Sequence, residues 1–84
     1  MESLNFKTVK TLAEGFNAKD VENVINSWKN GATNNDKVCF GLFSSLVRLG
    51  DSEKIALASV LEQKRIYESV EEGYFVQFYS YLLN

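Results

Sequence analysis

The chain has 84 residues, 45% of them hydrophobic, 24% charged and 13% aromatic, and a formal net charge of −2. That length suits one core, so a single domain over 1–84 is expected, and the composition excludes disordered, collagenous and low-complexity classes. Nine Lys and Arg against eleven Asp and Glu also argue against a general nucleic-acid binder and against an acidic mimic of DNA.

Between Asn5 and Glu14, Phe6, Val9, Leu12 and Ala13 share one helical face, with Gly15 placed as a left-handed stop. Asn17 then stands as an N-cap with Asp20 three residues on, and Phe16 is spaced to staple onto Val21. The second helix runs to about Asn30 along Val21, Val24, Ile25 and Trp28, and Gly31 closes it. After the polar loop 32–35, Asn34, Asn35 or Asp36 caps a third helix from about Lys37 to Leu49. Its apolar arc (Val38, Cys39, Phe40, Leu42, Phe43, Leu46, Val47, Leu49) is wide, which marks it as the central helix of a bundle. Gly50 ends that helix. Asp51 or Ser52 caps a fourth, with Ile55, Leu57, Ala58, Val60 and Leu61 facing inward and 62–65 leading out.

Ser69-Val70-Glu71-Glu72 has the spacing of a capping box, predicting a fifth helix through GYFVQFYSYLLN. The aromatic and β-branched content of that stretch suits a strand equally well. A lone strand has no ladder partner, however, while Gly73, Gln77, Ser80 and Asn84 line up at helical spacings. The expected fold is therefore all-α: a compact bundle of about five short helices, with no repeat and no linker.

The opening MESLNFKTVKTLAEGF has neither the basic start nor the apolar run of a secretory signal. The most apolar stretches, near 38–43 and 74–83, are well short of the roughly 18 residues that cross a bilayer. A cytoplasmic protein without membrane association is expected. Cys39 is the only cysteine, and between Val38 and Phe40 it reads as a buried small hydrophobe.

Chemical apparatus is sparse. With no His, the commonest general base and the commonest metal ligand are missing, and no Ser-His-Asp, Cys-His, GxSxG, Walker or GxGxxG pattern occurs. Glu68 with Glu71 or Glu72 could pair carboxylates for acid–base work or a cation. Acidic residues at the start of a helix capped by Ser69 explain them better. The third and fourth helices, joined across Gly50, have the outline of a helix-turn-helix. The second of the pair begins with Asp51 and Glu53, which would face phosphates. A nucleic-acid-associated regulator is therefore the alternative reading, behind a hairpin made for packing.

Charge and aromaticity coincide at the C-terminal end. Residues 1–31 sum to zero, 32–50 to +1 and 51–84 to −3, and six of the eleven aromatics follow residue 66. On one continuous helix Tyr74, Phe78, Tyr81 and Leu82 form a side, while Phe75, Tyr79 and Leu83 widen the arc and only Gln77 and Ser80 remain polar. A domain this small does not bury a helix that is apolar around most of its circumference. Part of that helix is expected as a contact surface, to which tyrosine is suited by its large apolar body and polar tip. Tyr67, Tyr74, Phe75, Phe78, Tyr79 and Tyr81 are the candidate partner-binding residues, with homodimerisation and plain core as the competing uses. Trp28 is read first as core and second as a hot spot. The expected function is a non-enzymatic adaptor or inhibitor of another protein, with no catalytic residues, cofactor or metal. In general character (short, helical, cofactor-free, rich in Asn and Tyr) the chain looks like the small accessory proteins that phages and mobile elements encode to bind host machinery. That resemblance is of the whole chain, and no site is transferred from it.

Overall fold

Side-chain caps set the helix starts. In the computed structural model, which describes residues 3–83, Asn5 accepts the Lys7 N–H at 2.9 Å and opens α1 (Phe6–Glu14). Asn17 accepts the Asp20 N–H at 2.8 Å and opens α2 (Ala18–Lys29), as its spacing predicts. Phe16, just before it, lies against the core to which Val21 belongs. Ser52 does the same for α4 (Glu53–Glu68), accepting the Ile55 N–H at 3.3 Å. For α3 (Asn34–Arg48) the cap is Thr33, and none of the three residues expected. Its Oγ1 accepts the Asp36 N–H at 3.1 Å and donates to Asp36 Oδ2 at 2.7 Å, a reciprocal closure barred to the other three, which have Lys37, Val38 and Cys39 at the corresponding position. Gly31 makes room for it, because a Cβ there would fall 2.2 Å from Asp36 Oδ2. The chain continues into α5 (Tyr74–Phe78) and a 3₁₀ turn, Ser80–Leu83, and no strand occurs among the described residues. The all-α bundle of five helices is thus as the sequence predicts. No helix of the described residues is long and apolar enough to cross a membrane.

α3 packs on α2, α4, α5 and the 3₁₀ turn, and shares the centre of the bundle with α4, which touches all four other helices. Small side chains explain this: Ala56, Ala58 and Ser59 let neighbours close on more than one side of α4, and all three are buried. α3 carries larger apolar groups but leaves Leu49 83% exposed at its C-terminal end. The main core joins Val21 and Trp28 of α2, Val38, Cys39, Leu42 and Phe43 of α3, Leu57 and Val60 of α4, and Phe75 and Tyr79. A second, smaller core of Val9, Ala13 and Ala58 attaches α1, which among the other elements touches α4 alone.

The glycines divide by conformation. Gly15 is right-handed (φ −81°), against the expected left-handed stop; α1 closes there with the Gly15 N–H donating to Leu12 O. The left-handed positions are Gly50 (φ +113°), at the α3–α4 turn, and Gly73 (φ +82°), which opens α5.

Beyond Arg65 the course departs most from the sequence pattern. α4 runs on to Glu68, and Ser69 is its C-cap, with the hydroxyl donating to Ile66 O at 2.6 Å. No capping box forms there. The last helix is not continuous either: α5 stops at Phe78, and the chain bends at Tyr79 into the 3₁₀ turn. The bend has two anchors. The Tyr79 hydroxyl donates to Gln63 Oε1 on α4, and Leu82 settles on Gly41 of α3, where an added Cβ would stand 3.5 Å from Leu82 Cβ. A straight helix could not make both contacts. Asn84, the last member of the polar strip, lies outside the described residues.

A candidate contact surface at the C-terminal aromatic cluster

All six aromatic residues singled out in the sequence meet in one network. Its hub is Tyr79, which meets Tyr67, Phe75, Phe78 and Tyr81; the second node is Tyr67, near the end of α4. Its ring stacks on Phe78 (centroids 4.6 Å apart, planes at 25°) and meets Tyr74 and Tyr79 edge-on at 5.6 and 5.5 Å. Phe75 joins through Tyr79 at 5.3 Å, Phe78 meets Tyr79 at 5.0 Å, and Tyr81 meets Tyr79 at 6.1 Å. These are the tilted, edge-on and offset arrangements that ring quadrupoles favour.

Burial splits the network into two layers. Phe75 is 0% and Tyr79 7% exposed, so these two of the six candidates form a floor inside the core rather than a surface. Tyr67 and Tyr74 are partly buried. Phe78 is 47% and Tyr81 62% exposed, and these two form the outer layer. The bond from the Tyr79 hydroxyl to Gln63 ties the floor to α4, and burial first, then the neighbouring Tyr67, pushes the Tyr79 phenol above the usual tyrosine range. Val70, in the α4–α5 turn, is also more than half exposed. Sequence reading missed it because it treated Val70 as the interior of a cap.

Carboxylates border the surface. Glu68 follows Tyr67 in α4, while Glu71 and Glu72 are exposed in the turn directly before Tyr74. None of the three makes an ion pair with a described residue, and no Lys or Arg follows Arg65 in the chain. Glu68 Oε2 is sealed from solvent with no donor against it. The helix face once considered for a paired carboxylate site does not exist, since α4 ends at Glu68. Among the described residues no group of three or more His, Cys, Asp or Glu is gathered where a metal ion could sit.

The other candidates resolve simply. Trp28 lies in the main core. Cys39 is fully buried, and desolvation pushes its thiol up to about 11, with Lys64 opposing the shift and Asp36 adding to it. It is a packed hydrophobe, as its neighbours suggested. Glu62 is the one buried carboxylate of α4, and Arg65 Nε donates to its Oε1. In α4, the would-be recognition helix, only Glu53, Lys54 and Arg65 are exposed, so little of its length is open to a groove. The remaining exposed apolar groups are Leu4, Phe6 and Leu12 of the N-terminal segment and Val47 and Leu49 at the end of α3, and Phe6, the one ring among them, has no ring contact with a described residue.

No protein-family model, curated protein or solved structure matches this chain.

Proposed function

We propose that the protein is a small non-enzymatic interaction module, an adaptor or inhibitor, that binds another protein through the outer layer of the C-terminal aromatic cluster. The observation that carries this reading is the two-layer arrangement itself. Phe78 and Tyr81 hold large apolar area in water while their neighbours Tyr67 and Tyr79 fix them in place. Rings already ordered before binding lose little freedom on contact, which is the character of an interface anchor. The proposal includes a cytoplasmic setting, where the unpaired Cys39 stays reduced. It also includes the accessory role, of the phage or mobile-element kind, that the overall character of the chain resembles.

The test is affinity capture with the intact chain in parallel with Phe78→Ala, Tyr81→Glu and, as a surface control, Leu49→Ala, each checked for helix content by circular dichroism. The expected outcome is a stoichiometric protein partner retained by the Leu49 variant and lost with both aromatic variants. A partner retained by folded Phe78→Ala and Tyr81→Glu would move the function elsewhere on the molecule. Light scattering over a concentration series reads the homodimer: a dimer broken by Tyr81→Glu would assign this surface to self-association.

A further inference from the structure

We infer that the partner meets the aromatic cluster with a cationic segment, arginine or lysine side chains set among apolar ones. The inference rests on the protein-binding reading above and names the chemistry of the occupant. Two independent features of the surface select the same sign of charge. The first is the ring faces: Phe78 and Tyr81 offer exposed π-systems, whose faces are negative and attract guanidinium and ammonium groups. The second is the border of Glu68, Glu71 and Glu72, three carboxylates within five residues and without an ion pair to a described residue. Glu71 and Glu72 are neighbours in the exposed turn and Glu68 ends the helix just before it, a local concentration of negative charge that acts at contact range, since screening at physiological salt extends over about 8 Å.

Glu68 adds a local argument. Its Oε2 is buried without a donor, an arrangement that folded proteins avoid unless something else supplies the hydrogen bond. The side chain as a whole is only partly buried, so an incoming cationic group at the end of α4 can supply the missing hydrogen bond. The same features argue against a second copy of this chain. A two-fold interface through this patch gathers its three carboxylates and their three copies into one contact, and the segment after Arg65 offers no Lys or Arg to answer them. They argue equally against nucleic acid, whose phosphates carry the wrong sign. The apolar part of the occupant follows from Phe78, Tyr81 and Val70, which water leaves unsatisfied around the charged border.

A displayed library of random short peptides selected on the immobilised full-length protein tests this, with parallel selections on Phe78→Ala and on the triple variant Glu68→Gln, Glu71→Gln, Glu72→Gln. The expected result is that peptides enriched on the parent chain and lost on Phe78→Ala carry net positive charge, with Arg or Lys beside apolar residues. Synthesised singly, they should bind the triple variant roughly tenfold more weakly and weaken as salt is raised. If the Phe78-dependent peptides are neutral or acidic, or bind the triple variant equally well, the cationic assignment is overturned and the contact surface stands. If no Phe78-dependent peptide emerges, the contact surface falls with it. Tyr81→Glu, at the more exposed ring, reads the same patch should Phe78→Ala fail to fold.

Discussion

Phe75 and Phe78 are three residues apart on the same short helix, and the structure gives them opposite tasks. Phe75 is 0% exposed and packed on Tyr79, whereas Phe78 is 47% exposed and stacked on Tyr67. Truncation to alanine should therefore separate them. Phe75→Ala removes a fully buried ring and leaves a cavity among core residues, a change that costs about 3–5 kcal/mol. Phe78→Ala removes a ring about half of which already faces water, so the burial loss is about 1–1.5 kcal/mol. Losing the stack on Tyr67 adds about 0.5–1.5 kcal/mol, which brings the total to about 2 kcal/mol. Domains have a stability of roughly 0.05–0.15 kcal/mol per residue, so a chain of this length has about 4–13 kcal/mol in all. Phe75→Ala consumes much of that margin, and Phe78→Ala does not. Urea unfolding followed by far-ultraviolet circular dichroism and by Trp28 fluorescence measures both, with an unchanged slope confirming that only stability moved. A Phe78→Ala loss equal to or larger than that of Phe75→Ala would refute the two-layer reading, and with it the reason for placing Phe78 at an interface.

Three further outcomes follow from particular contacts. Gly41→Ala should stabilise the fold by about 0.5–1 kcal/mol, because alanine is the better helix former and its Cβ meets Leu82 only at ordinary contact distance. Gly41→Leu should expel Leu82 and lower the melting temperature, and a higher one would contradict the docking of the 3₁₀ turn on α3. Among the described residues α1 buries only Val9 and Ala13 and packs on α4 alone of the other helices, so its amides should exchange with deuterium well before those at the centre of α4. Val9→Ala should speed exchange in 6–14 about tenfold or more while leaving α3 and α4 protected, for a loss of about 1–2 kcal/mol; exchange of α1 in step with α4 would show that it is no separate unit. Cys39 should resist thiol reagents at pH 8 until the protein unfolds. Its folded pKa of about 11 lies above the ordinary 9, so its stabilising contribution is complete below about pH 9 and is lost as pH rises through 11. Tyr79 acts in the same direction at still higher pH. The urea midpoint should fall over that interval, less steeply in Cys39→Ala, and a midpoint that rises would reverse the sign of the argument.

The first four helices are legible in the sequence because local signals and periodicity agree there. Asn17 and Ser52 cap where their spacing places them, and Val21, Trp28, Val38, Leu42, Leu57 and Val60 all reach the core that their stripes imply. The misses have physical causes. Thr33, Asn34, Asn35 and Asp36 all have capping chemistry, and only the pairing of Thr33 with Asp36 across the space left by Gly31 decides among them. Apolar bulk shows α3 at the centre but not that α4 shares the place; in a bundle this small closeness of approach matters as well, and Ala56, Ala58 and Ser59 give that property to α4. The candidate site was legible as a set of residues but not as layers. What buries Tyr79 and exposes Tyr81 is the bend fixed by Gln63 and Gly41, on two other helices, and neither shows in the C-terminal segment itself.

The fate of Ser69 ties that misreading to function. A serine hydroxyl can accept a backbone N–H at the start of a helix or donate to a carbonyl at the end of one. The spacing Ser69-x-x-Glu72 suits the first role without excluding the second. The structure takes the second: the hydroxyl bonds Ile66 O, α4 gains its last turn, and α5 begins later, at Gly73, with no acidic residue in its first turn. Had the capping box formed, Glu71 and Glu72 would lie in the first turn of a helix, their charge answered by its dipole. In the observed turn they answer nothing within the described chain, and they stand directly before Tyr74, at the edge of the exposed rings. The residue that defeats the prediction of the last helix is thus also the one that leaves its carboxylates free, and free carboxylates beside ordered aromatic rings are the basis for expecting a cationic partner.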